Sequence, residues 1–381
     1  MSSGIWSEKS NMPGLIDRML ELAVSIQQIP APTFEEVQRS LFVKGLFEQE
    51  GLRDVSMDSL RNVYGRLPGG GVGDPLVVSA HLDTIFPPEV SLEVKREPDR
   101  ILGPGIGDNA LGLAALFGLV WFLRERKVTL AGDLWLVANV GEEGLGNLRG
   151  MRAVVDRFAE HVLAYLVIEG LALGYIQSRA LGVHRFRISA HTTGGHSWSD
   201  YGQPSAVHEI SRLVTQLLTL DLPEEPRTTL NVGRIAGGTS VNAIASEAWC
   251  ELDLRSESPP ALASLIQEVE HLVETASRPD IFVLAETIGQ RPAGQLPADH
   301  PLVELAENCL SAQGIEPKLT IGSTDANIPL SLGLPAIVLG ITSGAGAHTT
   351  GEYIHIEPVR LGMEQLVLFV CNAWKTYEPV R

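Results

Sequence analysis

Leu15, Met19, Leu22 and Ile26 recur at the three-to-four-residue spacing of one helical face, and Pro30 and Pro32 end the helix that this spacing predicts. Short apolar runs then alternate with helical stretches: strand over 75–80, helix over 109–126, strand over 134–140, helix over 147–158 and strand over 164–168. That alternation predicts an α/β fold, a sheet with helices on both faces. Near Gly182 the order changes to strand 183–190, helix 205–220, strands 229–235 and 243–255, helix 260–277 and strand 281–286. The succession β-α-β-β-α-β is that of a ferredoxin-like unit of roughly 100 residues. After Pro292 the first pattern resumes, with helix 301–313, strand 318–321, helix 325–332, strand 336–339 and a last helix over 358–375. The expectation is a discontinuous α/β catalytic domain, 1–181 and 292–381, with a mixed sheet, interrupted by an inserted ferredoxin-like domain at 182–291.

Length agrees with two domains, since 381 residues exceed the roughly 150 that a domain prior assigns to each. Apolar residues at 44% and charged residues at 20% describe a globular chain. A net charge of −17 disfavours nucleic acid and anionic membrane as partners, because both would be repelled. Three scattered cysteines, Cys250, Cys309 and Cys371, indicate neither a disulfide framework nor a thiolate zinc site. The first residues, MSSGIWSEKSNMPG, lack the basic start and apolar stretch of a secretory signal. The apolar run 110–122 has 13 residues, short of the roughly 18 of a membrane span. A cytoplasmic protein is expected.

The chemistry-bearing residues fall at strand ends, where open α/β sheets bind ligands. The strand at 76–80 runs into His81-Leu82-Asp83, in which His81 can ligate a metal through one ring nitrogen while Asp83 orients it. Gly103-Pro104-Gly105-Ile106-Gly107-Asp108-Asn109 brings Asp108 to a helix start, either as an N-cap or as a carboxylate shared by two cations. A second apolar strand ends in Gly141-Glu142-Glu143-Gly144, adjacent carboxylates that repel unless a cation or proton compensates. Glu169 closes a third strand, and His348 follows a fourth within Gly344-Ala345-Gly346-Ala347-His348. Each feature alone has a plain structural alternative, a cap or a solvated turn. Five nitrogen and oxygen ligands beyond four strands converge on one site. Imidazoles and carboxylates without thiolate suit a hydrolytic site holding two zinc ions, with manganese or cobalt also fitting. Glu142 is then left over as a general base.

The order His-x-Asp, Asp-Asn after glycines, Glu-Glu, Glu and a late His closely resembles the aminoacylase, carboxypeptidase G and peptidase T group of metallopeptidases, over nearly the whole chain. The resemblance implies that His81, Asp108 and Glu169 surround one metal and Asp108, Glu143 and His348 the other, with Asp83 supporting His81 and Glu142 activating water. It implies a zinc-peptidase-like catalytic domain with a lid or dimerisation domain inserted, and hence a homodimer. Gly194-Gly195-His196-Ser197 looks like the lid histidine, which family members supply across the two-fold interface. Asn242, after Gly237-Gly238, and Arg291, in Arg291-Pro292-Ala293-Gly294, resemble the residues that hold a substrate carbonyl or free carboxylate in the carboxypeptidase branch. Trp198 departs from the small-residue and proline pattern that follows the histidine in many relatives. Ser323-Thr324-Asp325-Ala326-Asn327 matches a family stretch and is read as a helix start in which Thr324 or Asp325 caps and lines the substrate site. The remaining histidines, His161, His184, His191, His208, His271, His300 and His355, read as ordinary helix, loop or strand residues. The function expected is hydrolysis of a peptide or N-acyl amide in a small substrate by an exopeptidase, dipeptidase or carboxypeptidase. A deacylase of N-acyl amino acids, an aminotripeptidase and a noncatalytic metal- or peptide-binding protein are the alternatives.

Overall fold

The computed structural model describes residues 12–377; the reading of the first residues as leaderless falls mostly on 1–11, outside the described residues. The chain divides into two compact units, one formed by everything up to Arg179 together with everything from Gln295, the other by Ala180–Gly294.

In the larger unit four strands lie parallel and side by side, in the order Leu134–Asn139, Leu76–His81, Ala164–Glu169 and Ala336–Gly340. Every residue of Leu76–His81 and Ala336–Gly340 is buried. A strand covered on both faces needs apolar side chains on both, which is why these runs lack polar alternation. Antiparallel strands Val63–Leu67 and Arg53–Met57 extend one side and Tyr175–Ala180 the other, so the sheet is mixed. Parallel alignment gathers the carboxyl ends of the four inner strands, which finish at His81, Asn139, Glu169 and Gly340, along one edge. A small antiparallel sheet joins Gly344–Ala345, Tyr353–His355, Arg100–Leu102 and Lys95–Arg96.

The first helix spans Met12–Gln27, but its buried face is Ile16, Met19, Leu20, Ala23 and Ile26, while Leu15 and Leu22 are only half-buried. The face is rotated from the expected stripe, and Gln27 also turns inward, donating to the Pro104 carbonyl. Helix Gly112–Glu125 is buried from Gly112 to Leu123. With the turn before it, Ile106–Glu125 is apolar and long enough to cross a membrane, longer than the run read from sequence, yet almost all of it is buried inside the fold as a core helix. Helix Val37–Gln49 was invisible in the pattern because its buried face includes Arg39 and Ser40 beside Val43 and Phe47.

The smaller unit is a four-stranded antiparallel sheet in the order Thr228–Gly237, Glu247–Ser256, Gly182–Thr192 and Ile281–Arg291. Helices Ala206–Leu217 and Pro259–Ala276 cover one face, with Phe186, Ile188, Ile210, Leu213, Leu252 and Val269 at their contact. The element order is the β-α-β-β-α-β read from sequence. The strand expected over 243–255 is broken: Ala243–Ile244 pairs with Gly195–His196 in a separate two-stranded ladder. The break lies at Ala245 and Ser246, whose carbonyls accept the N–H groups of Ala206 and Thr192 instead of continuing that ladder.

Candidate metal centre

Along the carboxyl edge of the parallel strands the structure brings together seven of the ten expected site residues. His81 is the last residue of its strand, 1% exposed, with Nε2 3.0 Å from Asp108 Oδ1 and 3.7 Å from Glu169 Oε2. His348 places its Nε2 3.1 Å from Asp108 Oδ2 and 3.2 Å from Glu143 Oε1. Asp108 therefore turns one oxygen to each imidazole. Three donor groups overlap here, His81–Asp108–Glu169, Asp108–Glu143–His348 and His81–Glu142–Glu143, with the ligand atoms of each group within 4.8 Å of one another. Ligands tetrahedrally bound at 2.0–2.2 Å lie about 3.4 Å apart, so the separations of 3.0 and 3.7 Å around His81 and of 3.1 and 3.2 Å around His348 fit donors sharing a cation. Carboxylate and imidazole donors without sulfur suit zinc, manganese or cobalt.

Local structure explains how each side chain arrives. Asp108 does not cap the following helix: its φ/ψ of −112° and 89° are extended, it lies in a turn running from Ile106 to Leu111, and its peptide bond to Asn109 is cis. The Asn109 side chain takes the adjacent place, donating to the Ile168 carbonyl at 2.9 Å and accepting the Gly170 N–H at 2.9 Å, so it grips the backbone on both sides of Glu169. His348 has φ of 65°, a left-handed conformation uncommon outside glycine, in a tight turn after Gly346.

Asp83 is completely buried, and its main-chain carbonyl and its carboxylate both face His81 Nδ1. The nearer contact to His81 Nδ1 is the Asp83 main-chain carbonyl at 3.0 Å, against 3.6 Å for the carboxylate. The carboxylate also accepts the N–H groups of Glu142 at 3.0 Å and Glu143 at 2.9 Å and the Thr33 hydroxyl at 2.9 Å. Arg39, which sequence reasoning missed, donates from full burial to the carbonyls of Leu82 and Ile29 and holds the His81–Asp83 turn from behind. Two further acids were missed as buried partners of the site. Asp325 does not cap the helix after it, which begins at Asn327; Thr324 Oγ1 accepts the Ala326 N–H there, and Asp325 turns inward to accept from Asn139. Glu352 is buried against the loop that bears Asp108. An acid directly before an apolar helix is the signal that misled for Asp325, since it is also the signature of a cap.

The charges explain why the cluster favours a cation. Burial alone would raise the Asp108 pKa, but hydrogen bonds from His348 and His81 hold it below the usual carboxylate range. Hydrogen bonds that its ring donates to the Asp108 and Glu143 carboxylates push His348 up to about 10. Burial pushes Asp325 up to about 7, opposed by the charge of His81 and the hydrogen bond from Asn139. Burial likewise raises Glu169 above its ordinary value. Carboxylates outnumber imidazoles in a desolvated space, and the surplus negative charge draws positive charge to the ring nitrogens.

The other three expected residues belong to the smaller unit. His196 is exposed in its two-residue ladder, and the N–H groups of Trp198 and Ser199 donate to its Nδ1 at 3.2 and 3.4 Å. An Nδ1 that accepts leaves the ring proton on Nε2, so the exposed edge of a neutral ring is a donor. Asn242 is exposed in the opposite turn; its main-chain carbonyl accepts the Ser197 N–H and its side-chain oxygen accepts from the Ser240 hydroxyl. Arg291 ends the strand Ile281–Arg291, 7% exposed and paired with Val183.

The family model for "Peptidase family M20/M25/M40" matches residues 77–372. The chain belongs to this family. Among curated relatives it is 24% identical over 357 residues to the succinyl-diaminopimelate desuccinylase of Corynebacterium glutamicum, covering 91% of this chain and 95% of that one. Its fold is similar to that of a tripeptidase from Staphylococcus aureus, with a TM-score of 0.81 at 21% identity, covering 94% and 99% of the two chains. It is similar also to the YXEP protein of Bacillus subtilis, described as a dinuclear metal binding peptidase from the M20 family, with a TM-score of 0.71 at 16% identity, covering 96% and 99%. Members of this M20 family are hydrolases, and in this chain acidic and histidine residues are positioned for a metal site.

Proposed function

We propose that this M20 protein is a zinc-dependent exopeptidase of the carboxypeptidase or dipeptidase kind, hydrolysing the amide bond of a small substrate that ends in a free carboxylate. The observation that carries the reading is the division of Asp108, one oxygen 3.0 Å from His81 and the other 3.1 Å from His348. In it, His81, Asp108 and Glu169 hold one ion, Asp108, Glu143 and His348 the second, with manganese or cobalt able to replace zinc. Such ions, when bound, acidify water and polarise an amide carbonyl.

The protein's own groups do the remainder. Glu142, whose main-chain N–H is pinned to Asp83, accepts a proton from the attacking water and returns it to the amide nitrogen as the carbon–nitrogen bond breaks, leaving a carboxylate and an amine. Asp83 supports catalysis by fixing Glu142 and Glu143 in one turn. His196 donates from Nε2 to the oxyanion that develops on the carbonyl. Arg291 and Asn242 hold the substrate, Arg291 offering a planar fork that matches a carboxylate. The smaller unit acts as lid and dimerisation surface of a homodimer.

Deacylation of an N-acyl amino acid is the second reading, favoured by the full-length likeness to a desuccinylase. Both readings need a carboxylate on the substrate, and one comparison tests that need. Values of kcat/KM for a peptide in free-acid and amidated forms, with native and Arg291→Ala protein, should show the native enzyme preferring the free acid and the variant losing that preference through a raised KM. Equal native rates on both forms would reject Arg291 as a carboxylate reader and favour an aminotripeptidase.

A further inference from the structure

A carboxylate that serves two sites must offer its oxygens in two fixed directions, yet the backbone before Asp108 reads Gly103-Pro104-Gly105-Ile106-Gly107. Glycines leave such a loop many conformations, and Gly105 lies in the left-handed region at φ 73°. The restraint on this loop comes from Glu352, whose residue is completely buried. Its Oε1 accepts the N–H of Gly107 at 2.7 Å and of Asp108 at 2.8 Å, and its Oε2 accepts the N–H of Gly105 at 3.0 Å. The main-chain carbonyl of Glu352 accepts a fourth amide, that of Gly103, at 2.9 Å.

Glu352 and His348 belong to one hairpin. They lie in the turn between Gly344–Ala345 and Tyr353–His355, which pair antiparallel, and the second of these strands pairs in turn with Arg100–Leu102, directly before the glycine loop. The hairpin thus carries the imidazole that approaches Asp108 Oδ2 and also grips the main chain from which that carboxylate projects.

We propose that Glu352 is a positioning residue for the metal centre: by holding the amides of Gly105, Gly107 and Asp108 it sets the directions in which Asp108 presents its two oxygens, and it locks the His348 hairpin to the Asp108 loop. The inference rests on the reading of Asp108 as the shared ligand. Hydrogen bonds are directional, so three amides accepted by one carboxyl group fix orientation as well as position. Outer partners that orient metal ligands typically change affinity by about 10–100-fold when removed.

The test is calorimetric titration of Zn2+ into chelator-stripped, full-length native protein and the variants Glu352→Gln, Glu352→Asp and Glu352→Ala, with circular dichroism and Tm recorded for each. Gln keeps an oxygen where two amides converge but sets an NH2 against Gly105, and should weaken binding by about 10-fold. Asp, one methylene short, and Ala should weaken both sites by about 10–100-fold. A merely structural role would lower Tm while leaving the affinity of the folded variants unchanged, and that result overturns the proposal. So does native affinity in Asp with a loss in Gln, which would mean that only the charge matters. Should Ala fail to fold, the order of Gln and Asp decides. If the native protein itself takes up fewer than two ions, the shared-ligand reading falls first and the inference with it.

Discussion

Glu142 and Glu143 are neighbours in sequence, nearly equally buried, and both pinned through their amides to the carboxylate of Asp83. Their side chains are not equivalent, because Glu143 Oε1 reaches His348 Nε2 at 3.2 Å within a donor group that Asp108 completes. Glu142 shares a donor group with His81 and Glu143 but lies outside the two groups that Asp108 joins. The proposed roles follow that difference, base for Glu142 and ligand for Glu143. Glu142→Gln removes the proton acceptor and leaves the two Asp108-linked triads intact, so metal content should persist while turnover falls at least about 100-fold. Glu143→Gln should lower metal occupancy instead. Elemental analysis of both variants beside their kcat values checks the assignment, and equal metal loss with unchanged activity per bound ion would reverse it.

At the scale of elements, the parallel strands and the helix-rich unit around them were legible because burial on both faces writes continuous apolar runs into the chain. The inserted unit was legible through its order of elements. Strands Arg53–Met57 and Val63–Leu67 and the short strands around Tyr353–His355 were not, being two to five residues long with no alternation to count. The clustered acids and histidines could be read because each ends a strand or follows a glycine turn. Their supports could not: Asn109, Arg39 and Glu352 act on main-chain groups distant in sequence, and no spacing announces such contacts. The Asn109 brace gives a prediction at this scale. A Cβ on Gly112 would lie 1.9 Å from Asn109 Oδ1 and 3.0 Å from the Ile168 carbonyl, both buried. Alanine ordinarily improves a helix by about 1 kcal/mol over glycine. Here overpacking costs about 1–3 kcal/mol and the two Asn109 hydrogen bonds are put at risk as well. Gly112→Ala should therefore lower the urea midpoint of unfolding, and an unchanged or higher midpoint would show that Asn109 is not held where the structure has it.

For the molecule as a whole, a net charge of −17 gives an acidic field that repels an anionic substrate at long range. That field is screened beyond about 8 Å at physiological ionic strength, so recognition of a carboxylate has to come from short-range cationic contacts, the role proposed for Arg291. The same field favours uptake of divalent cations by a cluster in which carboxylates outnumber imidazoles. Two bound ions are therefore the central claim, on which base, ligands and substrate polarity all depend. The most direct measurement is the metal content of purified full-length protein by elemental analysis, with amide hydrolysis followed through chelation and reconstitution. The account predicts close to two divalent ions per chain, activity abolished as chelator removes them, and activity restored when zinc, manganese or cobalt returns. Protein without tightly bound metal whose hydrolysis is indifferent to chelator would contradict it.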